Sequence, residues 1–162
     1  MSFLGALGLD SESPKWQRAV KIQKAFLLDF GAVGFYVEVT TRTEYWIEKI
    51  EACVRLIQPP GYAGDGETTL PDQWVKLIRD PARPDGPRTY HDDTGVMDGA
   101  EKARLWGSAS YYDGQGPIPI RLPDVMEITG LRITLGKGRG VKNIELRRHH
   151  AAIATKPPKD WP

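Results

Sequence analysis

Residues 13–57, SPKWQRAVKIQKAFLLDFGAVGFYVEVTTRTEYWIEKIEACVRLI, carry the strongest local signals in the chain and decide the predicted fold. Ser13-Pro14 reads as a helix start, because serine can cap free backbone N–H groups and proline in the first turn loses no hydrogen bond. Trp16, Ala19, Val20, Gln23, Phe26, Leu27 and Phe30 then recur near the helical repeat, which predicts a helix over about 14–30, ended by Gly31 and Gly34. Phe35, Val37 and Val39 alternate with Tyr36, Glu38 and Thr40, the pattern of a strand with one buried face. Thr41 with Glu44 makes a capping box. Behind it, Trp46, Ile47, Ile50, Cys53, Val54 and Ile57 share one side of a second predicted helix over about 43–57. The N-terminal third is thus expected to be a helix–strand–helix unit, and the fold class α+β.

Downstream the character changes. Residues 58–124 hold 18 of the 30 Gly and Pro residues, many in turn-forming combinations such as PPGYAGDG, DPARPDGP and DGQGPIP. Within this segment Trp74 to Ile78 reads as a short strand or helical turn and Met97 to Trp106 as a short helix. A loop-rich stretch of this length points to function, disorder or support from a neighbour. Its aromatics, Trp74, Tyr90, Trp106, Tyr111 and Tyr112, argue against plain disorder.

The C-terminal part predicts an antiparallel β-hairpin, packed in a small and mostly antiparallel sheet. Pairing Ile133 with Ile144 and Leu131 with Leu146 puts all four on one apolar face, with Lys137-Gly138-Arg139-Gly140 as the loop. The same register sets Arg132 opposite Glu145. Met126 and Ile128 have the opposite parity to Leu131 and Ile133, which predicts a bulge near Gly130.

Charge is unevenly spread. Residues 1–120 hold 13 Lys+Arg against 17 Asp+Glu, and residues 121–162 hold 9 against 4, so a net charge of +1 conceals an acidic body and a basic end. The GKGRG loop lacks the spacing of a P-loop or a dinucleotide fingerprint, which leaves a solvated hairpin tip or a partner-contacting finger. Lys137, Arg139, Arg147 and Arg148 are its candidate contact residues. The apolar Phe3, Leu4 and Leu7 at one terminus, and Trp161 in the proline-broken tail at the other, are candidate anchors on arms. Trp106, Tyr111, Tyr112 and Asp113 are a possible ligand platform, aromatic rings beside a carboxylate as a sugar-binding cleft requires. The favoured reading of these aromatics is that they seal a loop-rich core.

Several chemistries find no support. The single Cys53 excludes an internal disulfide framework and a cysteine-based zinc cluster. His149 and His150 project to opposite faces of a strand, and the acidic residues around His91 lack EF-hand spacing, so no metal or other cofactor is expected. No nucleophile elbow surrounds Ser108 or Ser110. The longest apolar run, Ala25 to Val37, is interrupted by Asp29 and falls short of the roughly 20 residues a membrane helix needs.

The expected organisation is an N-terminal arm over 1–12, one α+β domain over 13–148 with 58–124 loop-rich, and an extended arm over 149–162. The expected role is non-enzymatic: a structural subunit of a larger homo- or hetero-oligomeric assembly, such as a bacteriophage neck, tail or baseplate component. Synthesis in the cytoplasm is expected, and residence in the virion if the source is viral. Nucleic-acid binding through the basic hairpin is the alternative, and carbohydrate binding or glycoside hydrolysis the third.

Overall fold

The computed structural model describes residues 20–29, 31–40, 45–58, 68–79, 102–120, 124–156 and 159. They form eight strands: β1 Val20–Asp29, β2 Ala32–Thr40, β3 Ile47–Gln58, β4 Thr68–Thr69, β5 Gln73–Arg79, β6 Lys102–Ser110, β7 Val125–Leu135 and β8 Val141–Ala154. The α+β expectation is overturned, because the described residues contain no helix and build a closed seven-stranded β-barrel. Both predicted helices are strands where they are described, β1 and β3. The predicted short helix ending at Trp106 gives way to β6 from Lys102 onward. Ser13-Pro14 and Thr41 with Glu44, the two helix-start signals, lie outside the described residues, as does Met97.

Both errors have the same physical source. In β1 the register slips between Ile22 and Lys24, so the inward series steps from Val20 and Ile22 to Ala25 and Leu27. In β3 it slips between Ile47 and Lys49, and the inward series runs Ile47, Ile50, Ala52, Val54, Leu56. A bulge inserts one residue and turns a step of two into a step of three. One step of three among apolar residues imitates the helical repeat. Cys53 and Ile57, assigned to the same helical face as Ile50, instead alternate with the inward residues of β3.

Around the barrel the strands follow the order β3–β5–β6–β2–β1–β8–β7 and return to β3, with β4 added at the far end of β3. An odd number of strands cannot close with every neighbour antiparallel. One seam must be parallel, and it is β1–β8, paired at Ala25↔Ile153 and Phe26↔Ala154. The sequence reading ended the domain at residue 148, but β8 continues to Ala154 and makes this closure.

The barrel interior is packed with side chains. Val33, Phe35, Val37 and Val39 of β2, Leu77 of β5, Leu105 of β6 and Leu131 of β7 are fully buried. Each large side chain contributes about 1.5–3 kcal/mol by leaving water. The two C-terminal strands do form a hairpin, and Leu131, Ile133, Ile144 and Leu146 all point inward. Its upper register differs by two residues from the expected one: Leu131 faces Ile144, and Ile133 faces Lys142. Below the irregularity at Gly130 the pairing is Ile128↔His149. A shift of two keeps every side chain on its face, so the hydrophobic pattern alone could not choose between these registers.

Arg132 does not pair with Glu145. It reaches β3, where its Nε and Nη2 donate to the Glu51 carboxylate at 3.0 and 2.9 Å. Lys49 Nζ lies 3.4 Å from the same carboxylate, and the Arg132 guanidinium sits 4.3 Å from the Trp74 ring centre. On the neighbouring strands Arg55 grips Asp72 with two hydrogen bonds of 2.7 and 3.0 Å. These pairs lace β7, β3 and the start of β5 together across the outer surface.

The hydrogen bonds from Arg132, aided by the charge of Lys49, hold Glu51 below the usual carboxylate range against the opposing effect of burial. A depressed carboxylate contributes stability above its unfolded pKa and loses it as pH falls through the folded value. The expected result is an acid limb below about pH 4.5 in the unfolding free energy. That limb is shallower in Glu51→Gln, read from urea denaturation between pH 2 and 7.

Candidate functional site

The hairpin tip is built on a sharp turn. Lys137 and Gly138 both have positive φ, 56° and 68°, and Arg139 N donates to Gly136 O at 3.3 Å. Two consecutive central residues with positive φ mark the type I′ turn, whose twist suits a hairpin. The base of the tip is anchored to the segment before β3: Gly136 N donates to Trp46 O at 2.9 Å, and the Arg139 guanidinium stacks 4.4 Å from the Tyr45 ring centre. Val141 stands beside them, 51% exposed. Lys137 and Arg139, both singled out from sequence, thus share one end of the barrel with Tyr45, Trp46 and Val141, which the sequence did not nominate.

Arg147 and Arg148 lie elsewhere. They fall where β8 changes register, between Glu145↔Gly130 and His149↔Ile128. Six residues of strand separate Arg147 from Val141, roughly 20 Å. Along the backbone of β8, Arg147 and Arg148 are thus set apart from the hairpin tip. Beyond them His150 Nδ1 lies 3.8 Å from Glu127 Oε2. Phe3, Leu4, Leu7 and Trp161 lie outside the described residues.

The proposed ligand platform is dispersed by the fold. Trp106 is half-buried on the outer face of β6, whereas Tyr111 belongs to the barrel core at 4% exposure. Tyr112 is 63% exposed on the following turn. Asp113 serves that turn itself, its N–H donating to Gly116 O at 3.0 Å and its Oδ1 accepting from Gln115 N at 2.7 Å. Asp124 is fully buried and accepts from Gln58 Nε2 at 3.4 Å. These residues do not converge on a common point.

What the structure does bring together is a cleft between β5 and β6, with a volume of about 400 Å³. The two strands are paired only at Ile78↔Trp106 and Arg79↔Leu105. Extending that register would set Lys76 opposite Ser108 and Trp74 opposite Ser110, but the ladder stops before them. At the open end Gln73 Nε2 donates to Ser110 O at 3.1 Å, a side chain standing where a main-chain rung would be. Beside this end, burial first and then the charge of Asp72 push the Tyr111 hydroxyl well above the usual phenol range. Its oxygen is buried with no hydrogen-bond partner among the described residues. The alternation of Trp74, Lys76 and Ile78 was the available sequence signal for β5. Nothing local announced that its ladder with β6 would be incomplete.

Among the described residues no three His, Cys, Asp or Glu side chains cluster as metal ligands. Cys53 is buried, its Sγ 3.8 Å from Asp72 Oδ2, and burial raises its thiol pKa. A thiol so placed is a poor nucleophile. No protein-family model matches this chain, and no curated protein matches it.

Proposed function

We propose that the barrel is a non-enzymatic subunit of a larger protein assembly, docking its hairpin end against an acidic surface of a neighbouring subunit. A bacteriophage neck, tail or baseplate is the kind of assembly in view, by analogy of architecture. The observation that carries the reading is Lys137 at φ 56°. A left-handed backbone costs a residue other than glycine about 1–2 kcal/mol, and strain of this sort is retained where a site requires the side chain. Here the retained group is an exposed ammonium at the apex of the turn. Arg139, already stacked on Tyr45, has less freedom to lose on binding, which favours affinity. Val141 adds apolar contact at the same end.

The test is reconstitution with the proteins encoded beside this one, followed by sedimentation. The wild-type chain is expected to co-sediment with an acidic neighbour. Lys137→Glu combined with Arg139→Glu is expected to weaken that association by at least about a hundredfold, since like charges facing across an interface cost several kcal/mol. The double variant should keep a normal melting transition. Association untouched by charge reversal sinks the proposal. Binding to duplex DNA that weakens steeply with salt, and is lost in the same variant, establishes the nucleic-acid reading instead.

A further inference from the structure

Two of the most deeply buried side chains lie outside the barrel's core. On β1, Ala25 and Leu27 point inward and Phe26 points outward; on β2, Phe35 and Val37 point inward and Tyr36 outward. Both outward rings are nevertheless shielded from solvent, at 0% exposure. Their centres stand 6.2 Å apart, with the planes tilted by 45°. The Arg104 guanidinium from β6 lies 3.7 Å from the centre of the Tyr36 ring and roofs it. Gly34, opposite Phe26 on β2, gives the phenyl ring room, since a Cβ there would stand 2.8 Å from it.

The two strands beside β1 do not explain the cover over Phe26. Its cross-strand neighbours are Gly34 and Ala154, both too small to cover a phenyl ring. Lys24 and Leu28, which flank it on the same face of β1, are themselves exposed. The ring has a further interaction besides that with Tyr36, and for an apolar ring such a partner is another aromatic ring or a cation. Phe26 also marks one of the two thinnest joins in the barrel. The parallel β1–β8 seam carries two residue pairs, Ala25↔Ile153 and Phe26↔Ala154, against ten between β3 and β7. Because β8 ends at Ala154, the C-terminal tail leaves the sheet directly beside the Phe26 ring. It does not run straight on, for the chain bends at Thr155 and Lys156 and turns again at Lys159.

We propose that the C-terminal tail folds back across the β1–β8 seam and seats Trp161 over Phe26, as a strap that holds the parallel join shut. Trp161 lies seven residues beyond Ala154, a reach of up to roughly 23 Å, several times the spacing of about 4.8 Å between neighbouring strands. Its indole has the apolar area to cover a phenyl ring and makes a tilted or offset aromatic pair with it. Pro157-Pro158 stiffen the return, which lowers the entropy lost when the tail docks. The apolar N-terminal residues approach from the other end of β1, where Val20 is six residues from Phe26 and Leu7 thirteen further away. The C-terminal route is the shorter. The anchor that the sequence places on an arm thus finds its surface on its own chain.

The test uses the full chain in solution. By NMR of the labelled wild type, the Trp161 indole protons are expected to show cross-relaxation to the Phe26 ring. Trp161→Ser is expected to quicken amide exchange at Ala25–Leu27 and Ala152–Ala154 by at least about tenfold and to leave the β3–β7 ladder unchanged, because a local clasp is lost and the core is not. The absence of any Trp161 contact with Phe26 overturns the proposal, as does exchange at the seam that the substitution leaves unaltered. Cross-relaxation found only between labelled and unlabelled chains in a mixed sample places the tail on a neighbouring copy and overturns it too. A seam that loosens on removal of residues 1–12, and not in Trp161→Ser, assigns the cover to the N-terminal segment and rejects the tail. If Trp161→Ser does not fold, the contact measurement on the wild type decides alone.

Discussion

Phe35→Ala is expected to lower the unfolding free energy by about 3–5 kcal/mol, the range for truncating a buried aromatic. That is a large share of the roughly 5–15 kcal/mol that holds a domain together. Phe35 is fully buried and its strand lies between two others, with Ala25 opposite it on β1 and Gly107 opposite it on β6. Two small neighbours leave the space that the ring fills. The complement is visible at Gly107, where an added Cβ would meet the Phe35 ring at 2.9 Å and Val75 at 3.0 Å. Gly107→Ala in the wild type is therefore expected to overpack the core, at about 1–3 kcal/mol. In the Phe35→Ala background the same methyl group enters the vacated space. The double variant should be more stable than the sum of the single losses predicts, by urea denaturation of all four proteins. Strict additivity would show that the two positions do not share a cavity.

Gly31→Ala carries the second large effect, about 2–5 kcal/mol from two sources that add. The residue sits between Asp29 and Ala32, the last pair of β1 and β2, with φ 82°. A residue other than glycine is strained there by about 1–2 kcal/mol. The new Cβ would also stand 2.6 Å from Pro117 Cβ and 3.0 Å from Tyr111 O, where overpacking adds about 1–3 kcal/mol. Backbone cannot swing aside as a flexible side chain can, and Gly31 O is already fixed by Tyr111 N at 2.7 Å. Gly138→Ala is the control. Its φ is 68° and nothing lies within 4 Å of the added Cβ, so only the strain remains. Equal losses at the two glycines would show that the turn after β6 yields without cost.

Sequence patterns succeeded where a strand runs without interruption and failed where it bulges. Phe35 to Thr40 lies in β2 with Phe35, Val37 and Val39 in the core as the alternation requires, although Tyr36, expected on the open face, is fully buried as well. The parity change between Ile128 and Leu131 located the irregularity at Gly130, which both neighbours of β7 register. In β1 and β3 the same kind of insertion fell inside longer apolar runs, and a three-residue step made strand look like helix. The candidate sites were legible only in part. Lys137 and Arg139 could be named from the glycine-rich turn, but their company with Tyr45 and Trp46 depends on how the hairpin meets the segment before β3. The β5–β6 cleft depends on a ladder that stops, and no residue type encodes that locally.

By itself, then, the sequence determined the inward faces of β2 and of the terminal hairpin, the turn chemistry around Lys137 and the uneven charge, because each of these rests on neighbours close along the chain. Tertiary structure decided the class of fold, the register of the hairpin and the partner of Arg132. It also decided the parallel β1–β8 seam, which an odd-stranded barrel cannot do without. Those features join residues as far apart as Ala25 and Ile153. Their energies come from burial and pairing that exist only once the barrel has closed.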